Sequence, residues 1–399
     1  MGCIALWLGI KKFLQDRYTE FGFEHLKQIV TIAQTKLTFV FILLKDPATA
    51  TTVFEGLNDP GIPIGIGDLV RNEIFSKIGD DPNLAHTIHR DVWLPFRERL
   101  GDHFDKYFFP YALVRDSSIT NADLFRGLRK MWGSNDQPAQ IIKTLEMYVE
   151  PYIALCEGIF PEFYSKEVKE KVGKLYESNC PTSIFPFVLK LLKEYELKNV
   201  SEIETIECLE VIESFLIRRA IVGIEPTGLL TMFKSMWSVL DGKLNRENIK
   251  NFIDKRSTTE WPDDERLRNA INTRNIYASH ICKYVLSEYD RGLGSDIPKN
   301  DFWIEHLMPQ KLNNKWLEVI SIEDHQEIYN TWGNLIPLTQ KMNQEVSQSE
   351  YSIKKVHIST NSVFSSARKL TNENEKWDKL AVINRNKIIA DWAISRWSK

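Results

Sequence analysis

Apolar residues recur at spacings of three and four along most of the chain up to about residue 290, which is typical of amphipathic helices. The clearest stripe spans residues 205–221, and a second stripe spans residues 267–286. The apolar run at residues 37–44 fits a buried strand or a helix equally well, because a short run has no readable period. The pattern predicts a mainly helical N-terminal region.

The pattern changes at residues 291–298, where two glycines, a serine and a proline fall within eight residues. Such a stretch is typical of a linker. Beyond it the apolar runs are short and separated by turns, which predicts two short strands followed by a helix, with late helices from Asn374 onward. We therefore expect a mainly α protein with a helical scaffold at 1–295 and a small α+β domain at 296–399.

Composition excludes several classes of protein. Apolar residues make up 43% and charged residues 26% of the chain, which is ordinary globular usage. The five cysteines are scattered and contain no C-x-x-C pair, which argues against thiolate zinc sites and disulfides and predicts a cytoplasmic protein. No apolar run reaches the roughly 20 residues that a membrane span needs, so we expect no membrane association.

Charge is distributed unevenly. The chain has 51 basic and 54 acidic residues, a net charge of −3, and hence no global attraction to nucleic acid. Residues 331–399 contain eleven Lys and Arg against six Asp and Glu. This surplus predicts a patch for a phosphate backbone, with a merely solvated helix face as the alternative. The expected anchors are Lys354, Lys355, Arg368 and Lys369.

Three groups suited to single-metal phosphodiester hydrolysis occur in the predicted second domain. His306 follows Glu305 on a predicted strand, Asn334 follows a glycine, and Asn343 stands nine residues later. A neutral histidine, with an ordinary pKa near ~6.5, can deprotonate water. Glu305 and Asn343 offer oxygen ligands to a hard divalent cation. Asn334 could either orient the imidazole or pin the loop that carries it.

Each of these residues also has an ordinary structural interpretation. A Glu-His pair on a strand can simply be packed, Gly-Asn is a common turn sequence, and Asn343 could be a helix N-cap. Side chains alternate along a strand, so Glu305 and His306 share a metal site only if the backbone bends there. The joint occurrence of all these residues at suitable spacing favours a nuclease.

The C-terminal motifs are the Glu-His-Leu-Met-Pro-Gln run at 305–310, Trp316, Gly-Asn-Leu at 333–335, Asn343, and Tyr-Ser-Ile-Lys at 351–354, of which the set of His306, Gly333-Asn334 and Asn343 is the most specific. With these motifs the chain resembles the GmrSD-like restriction endonucleases, whose C-terminal domain is of the HNH type. Further similar segments extend the resemblance over nearly the whole chain: 53–58, 61–63, 68–72, Arg218-Arg219, Trp261-Pro262 and Tyr277.

The resemblance implies a ββα-metal nuclease fold over roughly residues 297–360. In that fold His306 would be the general base, Asn343 a metal ligand and Asn334 the residue that braces the loop. Glu305 matches the acidic position beside the base, with a role in metal binding, and Lys354 matches a lysine suited to a phosphate contact. The implied metal is Mg²⁺ or Mn²⁺, and the implied products carry a 5′-phosphate and a 3′-hydroxyl.

The resemblance also implies a function, a metal-dependent endonuclease acting on DNA in the restriction of foreign or modified DNA, as in phage defence. RNA remains open as a substrate, and a catalytically silent binding or regulatory module is the alternative. Full-length relatives begin with a ParB-like nucleotide-handling domain marked by Asp-Gly-Gln-Gln-Arg, a motif that this sequence lacks. We therefore expect nucleotide control, if any, from a separate partner protein, and leave a homodimer open.

Overall fold

The computed structural model describes residues 2–36, 65–79, 81–133, 136–256, 258–295 and 302–399. Residues 2–36 belong to one unit and residues 65–399 to a second, compact unit. The first unit contains helix α1 (Gly2–Thr35), which is interrupted at Gly22, where φ is 79°. The ambiguous run at 37–44 and the predicted boundary near residue 296 both lie outside the described residues.

Short helices make up the first part of the second unit and surround one large hydrophobic core. A five-residue π-helical turn, His89–Trp93, connects the helix at Pro82–Ile88 to the helix at Leu94–Leu100. In chain order the helices are α2 (Ile66–Ser76), α3 (Pro82–Ile88), α4 (Leu94–Leu100), α5 (Phe104–Arg115), α6 (Leu124–Lys130), α7 (Pro138–Leu145), α8 (Val149–Glu157), α9 (Lys166–Glu177), α10 (Phe185–Glu196), α11 (Glu202–Val222), α12 (Leu229–Leu240) and α13 (Arg246–Asp254).

Helix α11 confirms the clearest predicted stripe and connects two hydrophobic cores. It begins with a capping box, in which the Ser201 hydroxyl accepts from the Glu204 amide and the Glu204 carboxylate accepts from the Ser201 amide. Its N-terminal and middle residues, up to Leu216, pack into the first core. Ile217 and Ile221, near its end, pack into a second core that extends to the C-terminal residues. One helix therefore joins the scaffold to the region with the candidate chemistry.

The second predicted stripe, 267–286, is two helices rather than one, and that prediction is wrong. Helix α14 (Asp264–Thr273) ends before a loop at 274–281, and α15 (Cys282–Gly292) follows it. In the loop, the Ile276 amide donates to the Asn330 carbonyl at 3.1 Å instead of continuing a helix. Ile276 and Ile281 are nevertheless buried in the second core, so the apolar spacing continues across the break and gives the appearance of one helix.

The last part of the chain contains a small sheet and several helices. Strands β1 (Trp303–His306) and β2 (Leu335–Leu338) pair antiparallel, with His306 opposite Leu335. The two short strands and the helix after β2 agree with the prediction for this region, but two further helices, which the sequence did not predict, lie between the strands. The helices are α16 (Asn314–Leu317), α17 (Ile322–Ile328), α18 (Gln340–Val346), α19 (Tyr351–Asn361), α20 (Ser365–Glu373) and α21 (Lys379–Arg396).

The described residues thus form a mainly helical protein with one two-stranded antiparallel sheet, as the sequence predicts at this level. Within the described ranges, each helix is too short or too polar to cross a lipid bilayer. The second core packs the loop before α15, both strands and helices α19 to α21 around the end of β1. The candidate residues therefore lie on a packed framework rather than on a surface loop.

Candidate active site

His306, the last residue of β1, holds its imidazole against an asparagine and two tyrosines. Its Nε2 lies 2.8 Å from Oδ1 of Asn330. The Tyr277 ring meets the imidazole edge-on at a centroid distance of 4.5 Å, and Tyr329 stacks at 6.3 Å. An amide oxygen can only accept a hydrogen bond, so Nε2 carries the hydrogen and the lone pair lies on Nδ1. The Asn330 contact therefore selects the tautomer.

The surroundings of His306 also set its protonation state. The side chain is only 8% exposed, and burial lowers its pKa to about 4. The hydrogen bond to Asn330 opposes this shift, whereas the positive charge of Lys354 adds to it. The imidazole is therefore neutral at pH 7, which is the state that a general base needs before it takes a proton.

Glu305 directs its carboxylate to a different set of neighbours, as expected for adjacent residues of a strand. Its Oε2 accepts from Nδ2 of Asn343 at 2.8 Å, and its Oε1 accepts from Nζ of Lys354 at 2.5 Å. Lys354 also donates to the main-chain carbonyl of His306 at 3.0 Å. Burial raises the pKa of Glu305 and lowers the pKa of Lys354, and the attraction between the two charges opposes both shifts.

Glu305 and Asn343 together could supply oxygens to a divalent cation. The amide of Asn343 presents its NH₂ group to the carboxylate, so it has to turn over before its oxygen can face a cation. Among the described residues, no group of three or more His, Cys, Asp or Glu side chains could hold a metal. Mg²⁺ is often held by one or two protein oxygens together with phosphate oxygens and water. The oxygens of Glu305 and Asn343 therefore fit Mg²⁺ only if phosphate oxygens and water supply its remaining ligands.

Asn334 is fully buried, and its side chain makes four hydrogen bonds. Its Oδ1 accepts from the Met308 amide at 2.8 Å and from Nε1 of Trp377 at 3.0 Å. Its Nδ2 donates to the carbonyls of Met308, at 2.8 Å, and Tyr329, at 2.9 Å. Of the two roles that the sequence leaves open, these contacts are those of a residue that pins the loop following His306. The imidazole itself is oriented by Asn330.

Gly333 is required because helix α21 approaches the main chain closely at this point. A Cβ atom there would lie 2.5 Å from the Val382 carbonyl oxygen and 2.7 Å from Oδ1 of Asn386. The Gly333 amide donates to that same Oδ1 at 2.6 Å, and Arg385 donates to the Gly333 carbonyl at 2.7 Å. The Gly-Asn sequence therefore marks a close contact with α21, which holds Asn334 in place, rather than a hairpin turn.

The four residues predicted to anchor a phosphate backbone have different surroundings. Lys354 is fully buried against Glu305, in contrast to the exposed cation that the prediction assumes. Lys355 lies 2.7 Å from an exposed carboxylate, that of Glu375. Arg368 donates to a main-chain carbonyl six residues earlier, and Lys369 is exposed. Their role in nucleic-acid binding stays a prediction.

Three residues next to the candidate set are not predicted as site residues, although Tyr277 is among the positions that carry the family resemblance. Asn330 orients His306, Tyr277 covers one edge of its ring, and Trp377 completes the bonding of Asn334. The position of Asn330 four residues before Asn334 is the one sequence feature that could have suggested it. Tyr277 and Trp377 come from other parts of the chain, and no local spacing connects them with His306.

Residues 261–392 match the model of one protein family, described as GmrSD restriction endonucleases, C-terminal domain. Over these residues the chain is similar to that domain. The match contains all the candidate residues, from Tyr277 to Trp377, and makes this part of the chain similar to a domain of restriction endonucleases. Searches of curated proteins and of solved structures found no match.

Proposed function

We propose that this chain hydrolyses phosphodiester bonds of DNA, in the restriction of foreign or modified DNA. The observation that carries the proposal is the pair of side chains at the end of β1. His306 is a neutral imidazole with its lone pair on Nδ1, and Glu305 beside it is a carboxylate in contact with the amide of Asn343. The GmrSD-like match over the same residues supports a nuclease.

We further propose an HNH-type, ββα-metal arrangement for the site. The order of β1, β2 and α18 supports it, because His306 ends the first strand and Asn343 lies in the helix that follows the second. Asn334 lies just before β2, and its side chain forms hydrogen bonds with the main-chain amide and carbonyl of Met308, just after β1. It therefore links the end of β1 to the start of β2. The proposed base, the proposed pair of oxygen ligands and the bracing residue would then share one small framework.

In the proposed reaction, Nδ1 of His306 takes a proton from the attacking water. Asn330 keeps the hydrogen on Nε2, so the lone pair remains available to the water. Glu305 and Asn343 would hold Mg²⁺ or Mn²⁺, and Lys354 holds the Glu305 carboxylate in place and favours its ionised form. When bound, the cation neutralises charge on the phosphate and on the leaving oxygen. We expect products with a 5′-phosphate and a 3′-hydroxyl.

Supercoiled plasmid tests the proposal directly. We expect the chain to nick it with Mg²⁺ or Mn²⁺ and to lose this activity in EDTA, as measured on agarose gels. Asn343→Ala removes one proposed ligand, so we expect nicking to fall at least tenfold. Gln344→Ala, at the exposed neighbouring position of α18, is the matched control and should remain active. Plasmid binding without nicking under every metal condition would instead favour the silent binding module.

The titration of His306 gives a second prediction. In the metal-free protein, NMR of the imidazole protons should show a midpoint near pH 4, the pKa of about 4 that burial produces. The signal is assigned by its loss in His306→Gln. Between this pH and ~6.5 the unfolded chain binds a proton that the native ring does not, so stability should fall as pH decreases through that range. A midpoint between pH 6 and 7 would contradict the buried, neutral ring.

A further inference from the structure

Tyr277 differs from the other tyrosine that contacts His306. Tyr329 is half-buried and also stacks on His325, at a centroid distance of 4.8 Å. Tyr277 is 39% exposed, although its ring centroid lies only 4.5 Å from that of the His306 imidazole. It therefore leaves part of an aromatic side chain open to solvent directly beside the candidate general base.

The loop that carries Tyr277 is held in place on both sides of this residue. The preceding residue, Ile276, is buried, and its amide donates to the Asn330 carbonyl at 3.1 Å. Two residues after the tyrosine, the Ser279 amide donates to the Ile276 carbonyl at 2.9 Å. Asn330 is also the residue that orients His306. The tyrosine and the imidazole are therefore fixed to the same support.

The loop that follows His306 is also fixed, and it is cationic. Its Pro309 carbonyl accepts a hydrogen bond from Nε2 of His325 at 2.9 Å. Residues 306–317 contain two lysines and no acidic residue, and both lysines, Lys311 and Lys315, are exposed. Proteins that bind single-stranded nucleic acid combine cations for the backbone with aromatic rings on which bases stack. The surroundings of His306 contain both.

A nucleotide under attack at His306 would lie beside Tyr277. A general base has to come within about 3.2 Å of the water that it deprotonates, so the phosphate that this water attacks lies close to the imidazole. The tyrosine ring is in contact with that imidazole, so it lies within reach of the nucleotide that carries the phosphate. A base inside a duplex is covered by its neighbours, whereas an unpaired base can stack on a side chain.

We propose that Tyr277 stacks on an unpaired base next to the phosphate that is cleaved, so that the substrate is single-stranded or locally opened DNA. This rests on the proposed function, which places that phosphate at His306. Every base has an aromatic face, and stacking on a side chain is therefore tolerant of sequence. The contact selects the unpaired state of a base rather than its identity.

Binding in EDTA tests the stacking separately from nuclease activity. Fluorescence anisotropy compares a labelled oligothymidylate of twelve nucleotides with an abasic chain of the same length, which has the same phosphates but no bases. We expect the full chain to bind the oligothymidylate at least about fivefold more tightly, the low end for one stacked base. Tyr277→Ala should lose this preference, and Tyr277→Phe should keep it. Phe163→Ala, at an exposed aromatic residue of the scaffold, is the matched control and should keep it as well.

Equal affinities of the wild type for the two chains, or a preference that survives Tyr277→Ala, would overturn the proposal. So would an equal loss of affinity for both chains in Tyr277→Ala, which is the effect of a merely structural tyrosine. On a blunt duplex of twelve base pairs, Tyr277→Ala should change the affinity less than about twofold, and a fivefold loss there would contradict stacking on an unpaired base. The expected preference in a chain that fails to nick plasmid would support the stacking and refute the nuclease alone.

Discussion

Replacing His306 by alanine is expected to lower the rate of plasmid nicking by at least about a hundredfold, the low end of what a positioned general base contributes. The imidazole is the group whose Nδ1 would face the attacking water, and its Nε2 is already committed to Asn330. Initial rates of conversion from supercoiled to nicked plasmid, at saturating Mg²⁺ or Mn²⁺, measure the effect.

His306→Gln is the sharper form of this experiment. A glutamine amide can still donate to Oδ1 of Asn330 but cannot take a proton from water at neutral pH. It should therefore preserve the local packing and lose activity as fully as His306→Ala. His86→Ala, at an exposed position of the scaffold, is the matched control and should nick at the wild-type rate. Unchanged nicking by both His306 variants would remove the residue from the mechanism.

Sequence periodicity predicts helices well where the apolar stripe belongs to one continuous helix, as in α11. It fails at 267–286, because α14, the loop at 274–281 and α15 all face the same core. The apolar spacing indicates which residues are buried against that core, and residues of the loop are buried there as well as residues of the two helices. In the loop, Ile276 donates a hydrogen bond to Asn330, 54 residues away in the chain, and local spacing contains no information about such a contact.

The candidate site shows the same limit. Glu305 and Asn343 can be paired from motif order alone, and their side chains are in contact. Asn330 and Tyr277 contact His306 but come from separate segments, and no local spacing connects either residue with His306 itself. Lys354 shows the limit for charge: a count of lysines cannot distinguish an exposed cation from one buried in an ion pair.

The buried pair of Lys354 and Glu305 leads to the largest expected effect on stability. The Lys354 side chain is 0% exposed and that of Glu305 is 9% exposed. Lys354→Met would leave the Glu305 carboxylate buried without its cation, and breaking such a pair from one side costs about 3–5 kcal/mol. Denaturant unfolding followed by tryptophan fluorescence should show this loss, because several tryptophans lie in the same core. Nicking should be lost as well, since Glu305 would no longer be held as a carboxylate.

Lys355→Met is a matched control one residue away. Lys355 pairs with Glu375, whose side chain is 90% exposed, and exposed pairs contribute at most about 1 kcal/mol. The Lys354 variant should also respond to pH in a characteristic way. Without the cation, burial raises the pKa of Glu305 further, so the native protein gains a proton before the unfolded chain does as pH falls. Its stability deficit relative to wild type should therefore shrink on acidification, whereas equal, small and pH-independent effects of both lysine substitutions would show that the Lys354 pair is not buried.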